Sequence, residues 1–187
     1  MRNERLLLGL LPFSVVLGAF GLISSAACSG SSGGVNDCYD YTGFDTTTPV
    51  VSFKTDVLPL FRNSCGLSSV CHGSTTPVAP AQHYYGPKLT DPAPSAAEIT
   101  AILAGAVGVK SVDDPTMNII TAGDPSQSFM MYKLDGDPQD PSSVSCSKLA
   151  CVASKTCLGA MPQAGNTLPA ATRDIIRRWI AQGAKDN

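Results

Sequence analysis

Cys65-Gly66-Leu67-Ser68-Ser69-Val70-Cys71-His72-Gly73 is the stretch on which the reading of this chain turns. It supplies two thiols, with an imidazole directly after the second. Histidine is scarce, with two in the whole chain against seven cysteines, so a His at this position is not a product of composition. Paired cysteines followed at once by His are how a polypeptide bonds a haem through two thioethers and ligates its iron through the imidazole. The commoner spacing places two residues between the thiols, whereas Gly66 to Val70 intervene here. The extra residues must bulge outward, and Gly66, Ser68 and Ser69 suit that. Far downstream, Met161 sits in Ala160-Met161-Pro162, just before a helical pattern containing Trp179. It lies in a Pro/Gly loop without apolar periodicity, which makes it the candidate distal ligand. Met130 and Met131 read instead as flexible core filler on a helix.

The N-terminus carries a different signal. Arg2 and Arg5 precede an apolar run from Leu6 to Ile23, then Ser24-Ser25-Ala26-Ala27 and Cys28. That order reads as an export signal over residues 1–27. Cys28 after small residues resembles a bacterial lipobox, in which the cysteine carries lipid. Ordinary cleavage with Cys28 in a disulfide, or an uncleaved anchor, are the other readings, and all three export the remainder. Residues 28–47 then form a lipid-anchored tether, Gly/Ser-rich from Ser29 to Asp37, and 48–187 a single domain. Without residues 1–27 the chain keeps 11 basic and 14 acidic residues, a charge of −3. Such mild acidity gives no footprint for nucleic acid. Aromatic residues make up 6% of the chain. So thin a core calls for a large apolar filler, for disulfides, or for both.

With Cys28 lipidated, Cys38, Cys65, Cys71, Cys146, Cys151 and Cys157 remain. If Cys65 and Cys71 hold haem, four are left, and four allow three pairings. The closeness of Cys146, Cys151 and Cys157 points to one local loop, with Cys38 taking the third. The competing reading closes all six as disulfides. Cys151 and Cys157 repeat the five-residue gap, but Leu158 follows, so they are no second haem site.

Helical spacing of Phe53, Val57, Leu60 and Phe61 predicts a helix leading into Cys65, with Thr55 or Asp56 at its start and Pro59 in the first turn. Residues 73–94 read as loop. In it Tyr84 and Tyr85 are candidates to pack over a haem edge, and His83 reads as a loop residue rather than a ligand. Ser95-Ala96-Ala97-Glu98 is a capping box ahead of Ile99, Ile102, Leu103 and Ala106. Asp124-Pro125 predicts a further helix with Asp as N-cap, stopped at Gly136. The last helix is expected from Ala170 to Gln182. It buries Ile175, Ile176, Trp179 and Ile180, leaves Arg173, Arg177 and Arg178 outside, and ends at Gly183.

The order helix, Cys…Cys-His-Gly, short helices, Met-Pro loop and Trp-bearing helix resembles the cytochrome c fold. The phrases D-V-L-P-L-F-R-N-S-C (56–65), C-H-G (71–73), G-D-P-S-Q-S-F-M-M-Y-K-L (123–134), M-P-Q-A-G (161–165) and I-I-R-R-W-I-A-Q-G-A (175–184) are similar to planctomycete-type cytochrome c domains, collinearly over about 53–184. The resemblance implies a mainly α, small cytochrome c-like helical domain with long loops and disulfides. It implies Cys65 and Cys71 as thioether attachments of a covalent haem c, His72 as proximal ligand and Met161 as distal ligand. Phe61, Ile102, Leu103, Phe129, Ile176 and Trp179 are then expected around the ring.

The function so implied is electron carriage in the bacterial cell envelope by a monomeric single-haem lipoprotein, held to a membrane facing the periplasm by lipid on Cys28, or soluble there. Its partners are redox proteins, and it is not itself an enzyme. The alternatives are a haem-free, disulfide-stabilised envelope lipoprotein with a binding or structural role, and a soft-metal site built from Cys, His and Met.

Overall fold

The computed structural model describes residues 38–136, 144, 146, 148–151, 157, 159–163 and 167–187. Residues 1–27, expected to form an export signal, Cys28 and the stretch 29–37 lie outside the described residues. The domain is mainly helical, with no β-strand among the described residues. A π-helical turn, Phe53–Val57, runs straight into α1 (Leu58–Ser64). α2 spans Ala96–Ala104, a 3-10 turn covers Pro125–Gln127, α3 spans Phe129–Asp135 and α4 spans Ala170–Ala181.

Local chemistry explains most of these boundaries. Ser52, rather than Thr55 or Asp56, caps the first element: its Oγ accepts from the Thr55 N–H, and Asp56 accepts from the Ser52 N–H in return. Pro59 falls in the first turn of α1, where its missing N–H costs nothing. The Ser95–Glu98 capping box forms with both of its hydrogen bonds. The Asp124 side chain caps the 3-10 turn, but α3 starts separately at Phe129, so the single predicted helix is two elements. The two are broken at Ser128, whose buried hydroxyl donates to the Asp124 carbonyl and accepts from the Thr121 N–H.

The main core joins the π-turn, α1, α2 and α4. Phe53, Phe61 and Trp179 meet edge-on or tilted, with ring centroids 5.2–6.2 Å apart, and Ile102, Ile120, Ile176 and Ile180 complete the packing. A smaller cluster gathers Met117, Phe129 and Tyr132 around Cys146 and Cys157. Apart from the 3-10 turn, residues 106–128 carry no regular element. Isolated bridges, Val107 to Ile120 and Lys110 to Asn118, fold this segment back on itself. Its tip holds Ser111, Asp113 and Asp114, all buried.

Two disulfides close, Cys38–Cys146 and Cys151–Cys157. The pairing is the local loop plus the long-range tie to Cys38. Residues 38–47, assigned from the sequence to the tether, form a strap packed on α4. Tyr39, Tyr41 and Phe44 contact one another edge-on and enclose the Arg177 guanidinium, which lies 3.5 Å from the Tyr39 ring centroid. Arg177 was expected outside, but it is fully buried. Charge placement on a helical wheel could not foresee this, because the strap that covers Arg177 lies more than a hundred residues away. Asp135 accepts from the Arg177 Nη2 at 2.6 Å, and Asp174 from its Nη1.

Candidate functional site

A cavity of about 390 Å³ opens between α1, the loop after it, α3, the tip of segment 106–128 and the Met161 loop. Cys65, Cys71, His72 and Met161 all line it. Residues nearly a hundred positions apart in the chain thus share one wall.

The insertion between the thiols folds as a side turn. Cys71 N–H donates to the Ser68 carbonyl at 3.1 Å, and His72 N–H donates back to the Cys65 carbonyl at 3.0 Å. The second bond stitches the base of the bulge shut, and Leu67 and Val70, 47% and 76% exposed, lie along the cavity lining. Gly73 is required by close packing rather than by backbone angle. A Cβ there would lie 2.6 Å from the Gly66 carbonyl oxygen and 2.9 Å from that of Ser68. The Gln82 amide donates to the Cys71 and Ser69 carbonyls from the far side of the loop.

Cys65 and Cys71 are the free cysteines among the described residues. Burial, with a smaller contribution from Cys71, pushes the Cys65 thiol up to about 12, so it stays protonated at neutral pH. His72 has one ring nitrogen fixed: Nδ1 lies 2.6 Å from the His83 carbonyl oxygen. A carbonyl only accepts, so Nδ1 carries the proton and Nε2 keeps its lone pair. That is the tautomer of a metal-ligating His, and the backbone carbonyl is the usual partner that sets it. Burial holds the His72 pKa below its ordinary value, the His83 contact opposing it, so the ring is neutral at pH 7. Tyr85 packs on the same ring with centroids 4.8 Å apart, and its N–H donates to the His72 carbonyl.

Met161 is positioned from α3. Its N–H donates to the Lys133 carbonyl at 2.7 Å. The Lys133 ammonium, buried beside it, donates to the carbonyls of Cys157 and Gly159 at 2.7 and 2.6 Å. One residue of α3 therefore holds the loop that presents the thioether, and the Cys151–Cys157 disulfide staples that loop. Burial brings Lys133 down to about 8, partly opposed by Asp113.

The sequence reading missed Lys133, Asp113 and the ring of His83, all on the cavity wall. The scarcity of His could have drawn attention to His83, since a neutral His carbonyl and ring placed beside a second His is a specific arrangement. No periodicity marks Asp113. Of the residues expected around a ring, Phe61 and Phe129 line the cavity. Ile102, Ile176 and Trp179 belong to the core behind it, and Leu103 packs against that core. The helical stripes were read correctly as apolar faces, but those faces pack on each other. Among the described residues no three His, Cys, Asp or Glu side chains converge as a metal-ion ligand set. Comparison with known protein families, with curated proteins and with solved structures finds no match.

Proposed function

We propose that the cavity holds a covalent haem c and that the protein is a one-electron carrier of the bacterial cell envelope. The observation that carries this reading is the fixed tautomer of His72, with Nε2 free, on the same wall as two unpaired thiols and a thioether. The donor set fits the group. A neutral imidazole and a methionine sulfur are the two axial ligands of a haem that exchanges electrons without binding substrate. The cavity volume lies within the range of about 300–1,000 Å³ usual for cofactor sites.

When bound, the group supplies reversible ferric–ferrous exchange. The chain does the rest. His72 and Met161 would hold the iron, and the soft thioether would favour the ferrous state. Cys65 and Cys71 would hold the group covalently, each thioether arising by addition of an S–H across a vinyl group with no by-product. The His83 carbonyl keeps the imidazole in one orientation, and Lys133 keeps the Met161 loop in place. Phe61, Tyr85 and Phe129 exclude water from one side. Export through residues 1–27 and lipid on Cys28 confine the carrier to a membrane surface, where its partners are other redox proteins. The domain follows the cytochrome c plan in this reading.

The competing reading is a haem-free module in which Cys65 and Cys71 close as a third disulfide. It draws on the five-residue spacer and on the nearness that lets Cys71 raise the Cys65 pKa. The pyridine haemochrome of the protein, exported from a host with haem-attachment machinery, separates the two. A c-type spectrum that survives acid-acetone extraction supports the carrier. A colourless protein with no free thiol supports the disulfide module.

A further inference from the structure

Asp113 and Asp114 are neighbours in sequence, both buried, at 6% and 0% exposure. Their partners differ completely. The Asp114 carboxylate accepts from the Thr116 N–H at 3.0 Å, the Thr116 hydroxyl at 2.6 Å and the Ala150 N–H at 2.8 Å. It is a structural hub that closes the tip of segment 106–128 and ties it to the loop of the second cysteine pair. Asp113 lines the cavity, and its carboxylate has no hydrogen-bond or ion-pair partner among the described residues. Its oxygens are not sealed off either; they open onto the cavity.

An unpaired carboxylate in a mostly apolar cavity costs stability. Two charged or titratable groups face it: Lys133 from α3 and His83 from the loop opposite. The Lys133 ammonium is engaged by two carbonyls, and no ion pair within 4.0 Å forms with Asp113. Asp113 therefore aims its charge at whatever fills the space.

We propose that Asp113 is the charge-tuning group of this cavity, a carboxylate that favours the more positive, oxidised state of a redox group held by His72 and Met161. The inference rests on the haem reading above and deepens it. The Met161 thioether draws the centre toward the reduced state, and Asp113 opposes it. A unit charge roughly 10 Å from a redox centre, at an effective dielectric of about 20, changes a one-electron equilibrium by about tenfold or more.

The test uses the exported full-length protein and its Asp113→Asn and Asp113→Glu variants. Three quantities are read: haem content, the one-electron equilibrium with a mediator, and the thermal midpoint. Asp113→Asn is expected to keep its haem, move the equilibrium about tenfold toward the reduced form (about 59 mV for one electron), and melt no lower than the native protein. Asp113→Glu is expected to stay near native. An equilibrium within twofold of native in Asp113→Asn overturns the proposal. So does a lowered thermal midpoint or failure to fold, which would make Asp113 a structural counter-charge for Lys133. If the native protein carries no haem, the haem reading fails separately, and the thermal midpoint still decides whether Asp113 is strained or structural.

Discussion

The strap side and the cavity side of this domain use the same residue types in opposite ways. On the strap side, Arg177 is buried with Asp135 and Asp174 on its terminal nitrogens and three aromatic rings around its plane. On the cavity side, the Asp113 carboxylate, the Cys65 thiol and the Nε2 of His72 face open space without hydrogen-bond partners among the described residues, and the Cys71 sulfur accepts from the Ser68 hydroxyl at 3.4 Å. Burial alone does not separate them, because both sets lie inside. What separates them is charge pairing: the surrounding chain gives Arg177 two carboxylates, although its buried Nε has no hydrogen-bond partner, and gives the cavity groups no such counterpart. A charge paired by the surrounding chain serves the fold; polar groups gathered on one cavity wall without charge partners remain available to something else.

The contrast is open to perturbation on both sides. The largest effect is expected from His72→Ala, which should abolish stable haem retention, read as absorbance per polypeptide, while far-ultraviolet circular dichroism keeps its helical form. On the strap side, Arg177→Met leaves the buried Asp135 with Arg173 alone, at 3.4 Å, and should cost about 3 kcal/mol in denaturant unfolding, the low end for breaking a buried pair. The folded fraction should still carry haem. Replacing Cys38 and Cys146 together by Ser opens a link with a sequence separation of 108. It should cost about 2–4 kcal/mol, again without changing the visible spectrum of the folded protein. Loss of haem in either strap variant would mean that the two sides are not separable.

The smallest effect is a pH dependence on the cavity side. Burial, helped by His72, holds His83 below its ordinary pKa. The unfolded chain therefore binds more protons than the native one once the pH falls below about 6.5. Stability should be level from there to about pH 8, where Lys133 begins to titrate, and decline below about 6.5 in thermal melts; His83→Gln should remove part of the decline, because His72 is shifted in the same direction.

Much of the scaffold was legible in the sequence. The Ser95–Glu98 box, Pro59 and Gly183 with its positive φ are local signals that formed as read, and of the expected α4 stripe Ile176, Trp179 and Ile180 are buried while Ile175 is half-buried. That two of Cys146, Cys151 and Cys157 would close a local loop was legible from their proximity, but the folded chain was needed to show that the pair is Cys151–Cys157. What escaped was long-range. Arg177 looks like a solvent-facing residue until residues 38–47 fold over it, and Asp113 resembles Asp114 until the cavity distinguishes them. On the site itself, Cys65, Cys71, His72 and Met161 could be singled out by chemistry and order, but their common wall required the folded chain. The hydrogen bond that fixes the His72 tautomer comes from His83, a residue the sequence offered only as loop.

Trypsin should release residues 63–88 as one peptide, bounded by Arg62 and Lys88 and containing Cys65, Cys71 and His72. The mass of that peptide, taken under denaturing conditions from natively exported protein, tests the central claim most directly. The carrier reading requires the added mass of one haem, with both cysteines refractory to alkylation. A peptide without haem, lighter than its reduced form by the hydrogens lost in closing a Cys65–Cys71 disulfide, would contradict it.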